Sequence, residues 1–490
     1  MRGRPLPAAL RAQRGFHPIN GVRWVLQVCT TGVHHFSTLR QPSGPSTSYQ
    51  AVTHPSTAPS DATKDKLARA SAYLLPVYAR PDLILSHGKG SYVWDVDGRK
   101  FLDFSAGIAV NALGHADEGV AQCVSEQAGK LLHTSNIYHH EWSGKLAELL
   151  VSLTQSEGGL GFPAQSLTHP GGAKVFFANS GTEANEGALK IVRKVGKDRW
   201  AADAPGRTWD SPDCGKTRIV CFEGSFHGRS MGALSVTSNP KYQKPFEPLI
   251  PNVDVGQLND LEGLEGLVSK DTCAVIVEPI QGEGGVNAAS EEWLRALRKK
   301  CDDVGAILIF DEIQCGLYRT GKLWAHSALP VDCHPDIVTM AKPLANGYPI
   351  GAVLMRDNVA ATMTAGTHGT TFGGSPLACA VGHHVLSRLS SQTSTMEVME
   401  MSKYLTSRLE RLPKWFPNVL QKDVRGRGLI LGLGFKNVNY PVRVMSMARE
   451  RGVFVLTAGK DAVRLVPSLN VRREEVDMAV DVIESCLGML

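Results

Sequence analysis

The sequence predicts an α/β protein with a mainly parallel central sheet, and three observations carry that expectation. Between residues 173 and 352, short β-branched or aromatic runs alternate with turns and stretches of helical period, the order of a parallel sheet whose crossovers are helices. Several of those runs are apolar throughout, as strands buried on both faces are. Two of them, Ala306-Ile-Leu-Ile-Phe-Asp-Glu-Ile-Gln314 and Ile337-Val-Thr-Met-Ala-Lys342, end on charged side chains. That places Asp311 and Lys342 as neighbours at the carboxyl edge of one sheet, where open α/β sheets bind ligands. An acid and a base at strand ends can also be a solvated ion pair. The loop Pro343-Leu-Ala-Asn-Gly347 and the glycines of Tyr348-Pro-Ile-Gly-Ala352 favour a bound group instead, because they let backbone approach something closely.

The chain has 490 residues, 43% of them hydrophobic, enough for a large core and two or more domains. No apolar run is long enough to span a bilayer. The net charge of +5 is unevenly placed. Residues 1–60 carry Arg2, Arg4, Arg11, Arg14, Arg23 and Arg40, no lysine and no acid, which leaves 46 basic against 47 acidic residues in the remainder. The body therefore has no basic bias toward nucleic acid. Arginine-rich, acid-free and rich in Ser and Thr is the composition of a mitochondrial transit peptide, and Pro42 to Ser60 reads as an unstructured link. Import would leave a mature chain that begins between about residues 25 and 60. The ten cysteines include no C-x-x-C pair and read as reduced, mostly buried thiols. His139-His140 has no accompanying ligand spacing, and no metal site is expected.

Along the chain, Ser91-Tyr-Val-Trp-Asp-Val-Asp-Gly98 alternates and ends in an Asp-Gly turn, a hairpin signal. Helices are expected near Asp117 to Lys130 and Glu141 to Thr154, and a loop over Gly158 to Gly172. The strand Ala173-Lys-Val-Phe-Phe-Ala178 runs into Asn179-Ser-Gly-Thr-Glu-Ala-Asn-Glu186. There Ser180 and Glu183 have capping-box spacing, and Ala184, Ala188, Ile191 and Val195 recur at helical spacing. The free N–H groups and positive end of such a helix suit an anion, so Gly181 and Thr182 could hold a phosphate. An aperiodic insertion is expected from Trp200 to Gly215. A strand Thr217 to Phe222 then leads to Gly224-Ser-Phe-His-Gly-Arg229, where Phe226 can stack on a flat ring and Arg229 can grip a carboxylate. Cys273 to Val277 is a further strand, closing on Glu278-Pro-Ile-Gln-Gly-Glu-Gly-Gly285, and Glu291 to Asp303 is helical by period.

These motifs, with Asp-Glu-Ile-Gln-Cys-Gly, the Lys342 loop and His368-Gly-Thr-Thr-Phe-Gly-Gly374, resemble the class III pyridoxal-phosphate aminotransferases. The resemblance spans about residues 70–490 in the family's motif order, and the chain is most similar to the fungal mitochondrial branch acting on N2-acetylornithine. It implies a type I pyridoxal-phosphate transferase fold, with a mainly parallel sheet in a large domain (110–355). A smaller α+β domain (356–490) would be joined by the segment 61–109, after the leader and linker of 1–60. It implies pyridoxal 5'-phosphate as cofactor, amino-acid and 2-oxo-acid substrates, and a homodimer with sites at the subunit interface. By resemblance Lys342 is the catalytic base and acid and the covalent anchor, and Asp311 keeps the ring nitrogen protonated. Gln314 bonds the ring's phenolic oxygen and Phe226 covers one ring face. Gly181 and Thr182 hold the phosphate, with Thr371 reaching over from the second subunit, and Thr370 lies near the substrate. Arg229 holds the α-carboxylate of acetylornithine, while Arg464, screened by Glu283, receives the α-carboxylate of glutamate or 2-oxoglutarate.

The implied reaction converts N2-acetylornithine and 2-oxoglutarate to N-acetylglutamate 5-semialdehyde and glutamate in arginine biosynthesis, in the mitochondrial matrix. Ornithine and 4-aminobutyrate aminotransferases are the alternatives. Two positions depart from the family's pattern: Gly187, where relatives usually carry Ala, at a cost of about 1 kcal/mol if exposed, and Pro343-Leu-Ala345 after the lysine.

Overall fold

The structure is a computed structural model that describes Thr53, His54 and residues 58–490. The arginine-rich leader and Cys29 lie outside the described residues. All the described residues belong to one compact unit, Gly44–Leu490.

From the amino end, β1 (Leu85–Lys89), β2 (Tyr92–Asp95) and β3 (Lys100–Asp103) form an antiparallel meander. The hairpin read from the sequence is β2–β3, with Gly98 at φ +82°, a conformation a Cβ disfavours. β1 adds a mostly exposed strand with no alternation, so it carries no periodic signal. Ser60, at the end of the expected linker, caps the Asp61–Tyr73 helix and donates from Oγ to Asp97 Oδ1 at 2.7 Å.

The central sheet takes β4 (Ala173–Ala178), β5 (Arg218–Phe222), β6 (Val253–Gly256) and β7 (Thr272–Val277). After a small hairpin of β8 (Ile280–Gln281) and β9 (Asn287–Ala288) come β10 (Ile307–Asp311), β11 (Ile337–Met340) and β12 (Gly351–Arg356). The order is β4-β12-β11-β10-β7-β5-β6. The run from β11 to β6 is parallel throughout, while β12 is antiparallel to both of its neighbours.

The strand-then-helix rhythm of the sequence reading breaks after β10. Short 3-10 turns link β10 to β11, and only one, Lys342–Ala345, lies between β11 and β12. A link that short suits antiparallel neighbours. Gly351 opens β12 rather than closing a loop, and a Cβ there would meet the Ser180 carbonyl at 2.2 Å. What the backbone approaches at Gly351 is the turn before the Gly181–Ala202 helix.

Sheet periodicity puts two of the core clusters on opposite sides of the central strands. Val275, Val277, Leu308 and Phe310 pack with Trp293, Leu294 and Leu297 of the Glu291–Val304 helix. Ala274, Ile276, Ile307 and Ile309 point the other way, onto Ala184, Ala188, Ile191 and Val195 of the Gly181–Ala202 helix. Truncating one of these fully buried residues, such as Ile309→Ala, costs about 2–5 kcal/mol. The Glu291–Val304 helix is capped by Ser290 and ended by Gly305 at φ +66°. The Gly181–Ala202 helix continues through Trp200 before the insertion begins.

Towards the carboxyl end lie β13 (Leu420–Arg427), β14 (Ile430–Phe435), β15 (Val453–Phe454), β16 (Leu456–Ala458) and β17 (Ala462–Leu465). Four of them form an antiparallel sheet, β13-β14-β17-β16, while β15 pairs parallel with β3 of the meander. Of the nine described cysteines, seven are buried, Cys123 and Cys214 are half-buried, and all are free.

Candidate active site

Three parallel strands deliver three ionisable groups to one mouth. Glu278 follows β7, Asp311 ends β10, and Lys342 lies two residues past β11. The cavity they face has a volume of about 370 Å³.

Asp311 is 3% exposed and held from three directions. Its Oδ2 accepts from His227 Nδ1 and Asn185 Nδ2, both at 2.8 Å, and its Oδ1 accepts from the Ile313 N–H at 3.0 Å. Asn185 also donates to the His227 carbonyl at 2.7 Å, so the helix and the Phe226–Arg229 loop orient one carboxylate together. Glu278 accepts from the Phe226 N–H at 2.8 Å and the Gly282 N–H at 3.0 Å. Burial raises its carboxyl to about 7; Asp311 adds to the rise, and His227 and the two N–H groups oppose it. Burial, then the nearby Arg464, lowers the Lys342 amine to about 8. A larger share of that amine is therefore neutral near pH 7 than for a solvated lysine.

At the opposite wall, Ser180 Oγ accepts from the Glu183 N–H at 3.3 Å, the first half of the capping box. The second half is displaced by one residue: Glu183 accepts from the Asn179 N–H at 2.8 Å. Gly181 and Thr182 form the first turn of the helix, and Thr182 Oγ1 shares a 2.8 Å hydrogen bond with Ser230 Oγ.

The rim carries the rest. Gly181, Thr182, Phe226, Arg229, Glu283 and Gln314 line the cavity with Asp311 and Lys342. Arg464, on β17 and 2% exposed, stands behind that lining. Its Nη1 donates to Gln314 Oε1 at 2.9 Å and its Nη2 to Glu283 Oε2 at 3.3 Å. The structure thus turns Gln314 toward Arg464. Burial lowers the guanidinium's pKa and Glu283 opposes that shift. Arg229 is exposed, its guanidinium 3.5 Å from the centre of the Tyr242 ring and 5.4 Å from that of Phe226.

Thr370 and Thr371 are not brought into the cavity of this single chain. Thr370 Oγ1 accepts from Asn179 Nδ2 at 3.2 Å, while Thr371 is exposed beside Phe372, itself 64% exposed. Gly187 is buried, not exposed, and a Cβ there would come within 3.2 Å of His368 Nε2.

Four groups escaped the sequence reading. His227, Glu278 and Asn185 sit inside motifs it quoted, and their residue types next to a strand-end acid were the available signal. Tyr242 lies in Pro240-Lys-Tyr-Gln243, which carries no motif. His140 Nε2 donates to the Gly374 carbonyl at 2.8 Å, in a structural contact.

The donor set suits a flat phosphorylated ring: a lysine amine, a fixed carboxylate across the cavity, an aromatic wall and a helix amino end with two hydroxyls. Among the described residues, no group of three or more His, Cys, Asp or Glu could hold a metal ion.

This parallel-rich sheet with a lysine and a buried aspartate at its mouth has the type I fold of pyridoxal-phosphate transferases, shared with the solved aminotransferases to which the chain is similar. The chain belongs to the aminotransferase class-III family, whose model matches residues 76–487. It is 49% identical to the mitochondrial acetylornithine aminotransferase of Yarrowia lipolytica over 421 residues, 86% of this chain and 95% of that protein. It is 46% identical to the mitochondrial acetylornithine aminotransferase of Neurospora crassa over 434 residues, 88% of this chain and 89% of that one. Among solved structures, the ornithine aminotransferase of Toxoplasma gondii superposes with a TM-score of 0.76 at 30% identity, covering 87% of this chain and 95% of that one.

Proposed function

We propose that the chain is a mitochondrial pyridoxal-phosphate-dependent aminotransferase that converts N2-acetylornithine and 2-oxoglutarate to N-acetylglutamate 5-semialdehyde and glutamate, in arginine biosynthesis. The observation that carries the reading is the Arg464–Glu283 pair at the wall of the cavity that holds Lys342 and Asp311. A pocket that accepts acetylornithine and glutamate in turn needs one permanent carboxylate anchor and one that can be covered, and this pair is a covered anchor. Relatives named as acetylornithine aminotransferases at 46–49% identity support the substrate.

The bound cofactor supplies an aldehyde for an amine and a ring that takes up the electron pair released at the substrate carbon. Lys342 is the anchoring amine and then the group that moves the proton at that carbon, a role its pKa of about 8 suits. Asp311, fixed by His227 and Asn185, would hold the proton on the ring nitrogen. Gly181 and Thr182 would offer N–H and hydroxyl donors to the phosphate, and Phe226 would cover one ring face. Gln314, which accepts from Arg464, would release it and turn to the ring oxygen. Arg229 takes the α-carboxylate of acetylornithine, which presents the terminal amine to the reacting centre. Glu283 neutralises Arg464 until an α-carboxylate replaces it.

The active unit is a homodimer, in which the exposed Thr371 of one subunit completes the phosphate site of the other and Thr370 lies near the substrate. The arginine-rich amino end directs the chain to the mitochondrial matrix, and terminal sequencing of the imported protein should place the mature start between about residues 25 and 60. The fold match to an ornithine aminotransferase keeps ornithine as the second reading. Rates with N2-acetylornithine and with ornithine decide between them. Faster turnover of ornithine overturns the first reading.

A further inference from the structure

Outside the groups assigned above, one side chain touches both halves of the substrate rim. Tyr242 sits on the short helical turn Pro240–Gln243. Its mount is fixed at both ends. Asn239 Oδ1 accepts from the Lys241 N–H at 3.1 Å, and Gln243 Nε2 donates to the carbonyls of Leu234 at 3.1 Å and Ser235 at 3.3 Å.

The half-buried Tyr242 ring lies 3.5 Å from the Arg229 guanidinium, within cation–π range, and meets Phe226 edge-on with ring centres 6.2 Å apart. Its hydroxyl donates to Glu283 Oε1 at 3.3 Å, and the other oxygen of Glu283 accepts from Arg464. A continuous run of contacts therefore joins Arg229, Tyr242, Glu283 and Arg464. Burial and the charge of Glu283 raise the phenol's pKa, so Tyr242 stays a donor across the neutral range.

We infer that Tyr242 is a positioning residue that couples the two carboxylate anchors, its hydroxyl holding Glu283 over Arg464 while its ring supports Arg229. The inference deepens the two-arginine reading above and rests on it. Glu283 cannot leave Arg464 without also giving up the Tyr242 hydroxyl, so an incoming α-carboxylate has to offset both contacts. A substrate that uses Arg229 alone disturbs neither. Tyr242 thereby tilts the pocket toward a monocarboxylate with a terminal amine and away from substrates that need Arg464.

Single-turnover half-reactions of the purified holoenzyme test this, with N2-acetylornithine and with glutamate. Tyr242→Phe keeps the ring and removes only the hydroxyl. It should lower the apparent dissociation constant for glutamate by about two- to tenfold, the value of one modest hydrogen bond, and change that for acetylornithine less than about twofold. Tyr242→Leu removes the ring as well and should weaken acetylornithine binding by about three- to thirtyfold. A purely structural tyrosine would not tighten glutamate in the Phe variant. An unchanged ratio between the two substrates in Tyr242→Phe, or equal loss in both, overturns the coupling. Arg464→Ala run in parallel separates the layers: if it selectively impairs glutamate while Tyr242→Phe is silent, only the coupling fails. If it impairs both halves equally, the two-arginine reading fails and the coupling with it.

Discussion

The two ends of the cavity are built differently. At the sheet mouth, Asp311 is 3% exposed and held by three donors within 3.0 Å, with His227 and Asn185 buried around it. At the rim, the Glu283 side chain is 36% exposed, Arg229 is exposed, and Glu283 is held by two contacts of 3.3 Å each. The difference fits the tasks proposed for them. A group that sets the electronics of a bound ring gains from a fixed, water-excluded position. A group that must change partners between two substrates gains from contacts weak enough to break.

The comparison breaks most completely at Lys342. Lys342→Ala should abolish turnover and the borohydride-stable attachment of cofactor, read by mass spectrometry after reduction; a retained attachment would place the anchor elsewhere. Asp311→Asn tests the fixed end without removing any volume. It should keep cofactor bound while kcat falls by several powers of ten, roughly 4 kcal/mol or more, because a neutral amide does not hold the ring proton. A near-normal kcat would mean that the fixed end has another acid.

At the exchangeable end the losses should be smaller and selective. Arg229→Ala should damage both half-reactions, whereas Arg464→Ala should damage the glutamate half and largely spare the acetylornithine half. Losing a buried carboxylate partner costs about 2–5 kcal/mol, or roughly 30- to several-thousand-fold in kcat/KM. Equal damage to both half-reactions from Arg464→Ala would show that Arg464 is not an exchangeable anchor.

The smallest effect concerns stability. Burial raises the Glu278 carboxyl from 4.5 to about 7, so the folded protein binds a proton there that the unfolded chain has released. That contribution is full below about pH 4.5 and is lost as pH rises through about 7. Glu278→Gln should remove this decline, a difference on the order of 1–3 kcal/mol, visible in melting temperatures compared at pH 5 and 7.5. Parallel curves for the two proteins would show that Glu278 is charged throughout.

What depends on neighbours along the chain was legible in the residues alone. Apolar runs that stop at Asp311 and just before Lys342 name strand ends, because a strand buried on both faces reads as a continuous apolar run and a charged side chain interrupts it. Ser180 before a helical period names a helix start and an anion-binding end, since the capping hydroxyl and its N–H lie three residues apart. Tertiary structure decided everything set by pairs distant in sequence. Arg464 reaches Gln314 across 150 positions and Glu283 across 181, and Asp311 meets Asn185 across 126. β12 runs antiparallel because the Lys342–Ala345 turn is too short for a crossover. Tyr242 joins the rim only because its turn is pinned to the carbonyls of Leu234 and Ser235. Local periodicity encodes which face of an element is buried, and it holds no record of which distant element will cover that face; sheet order and packing supply that.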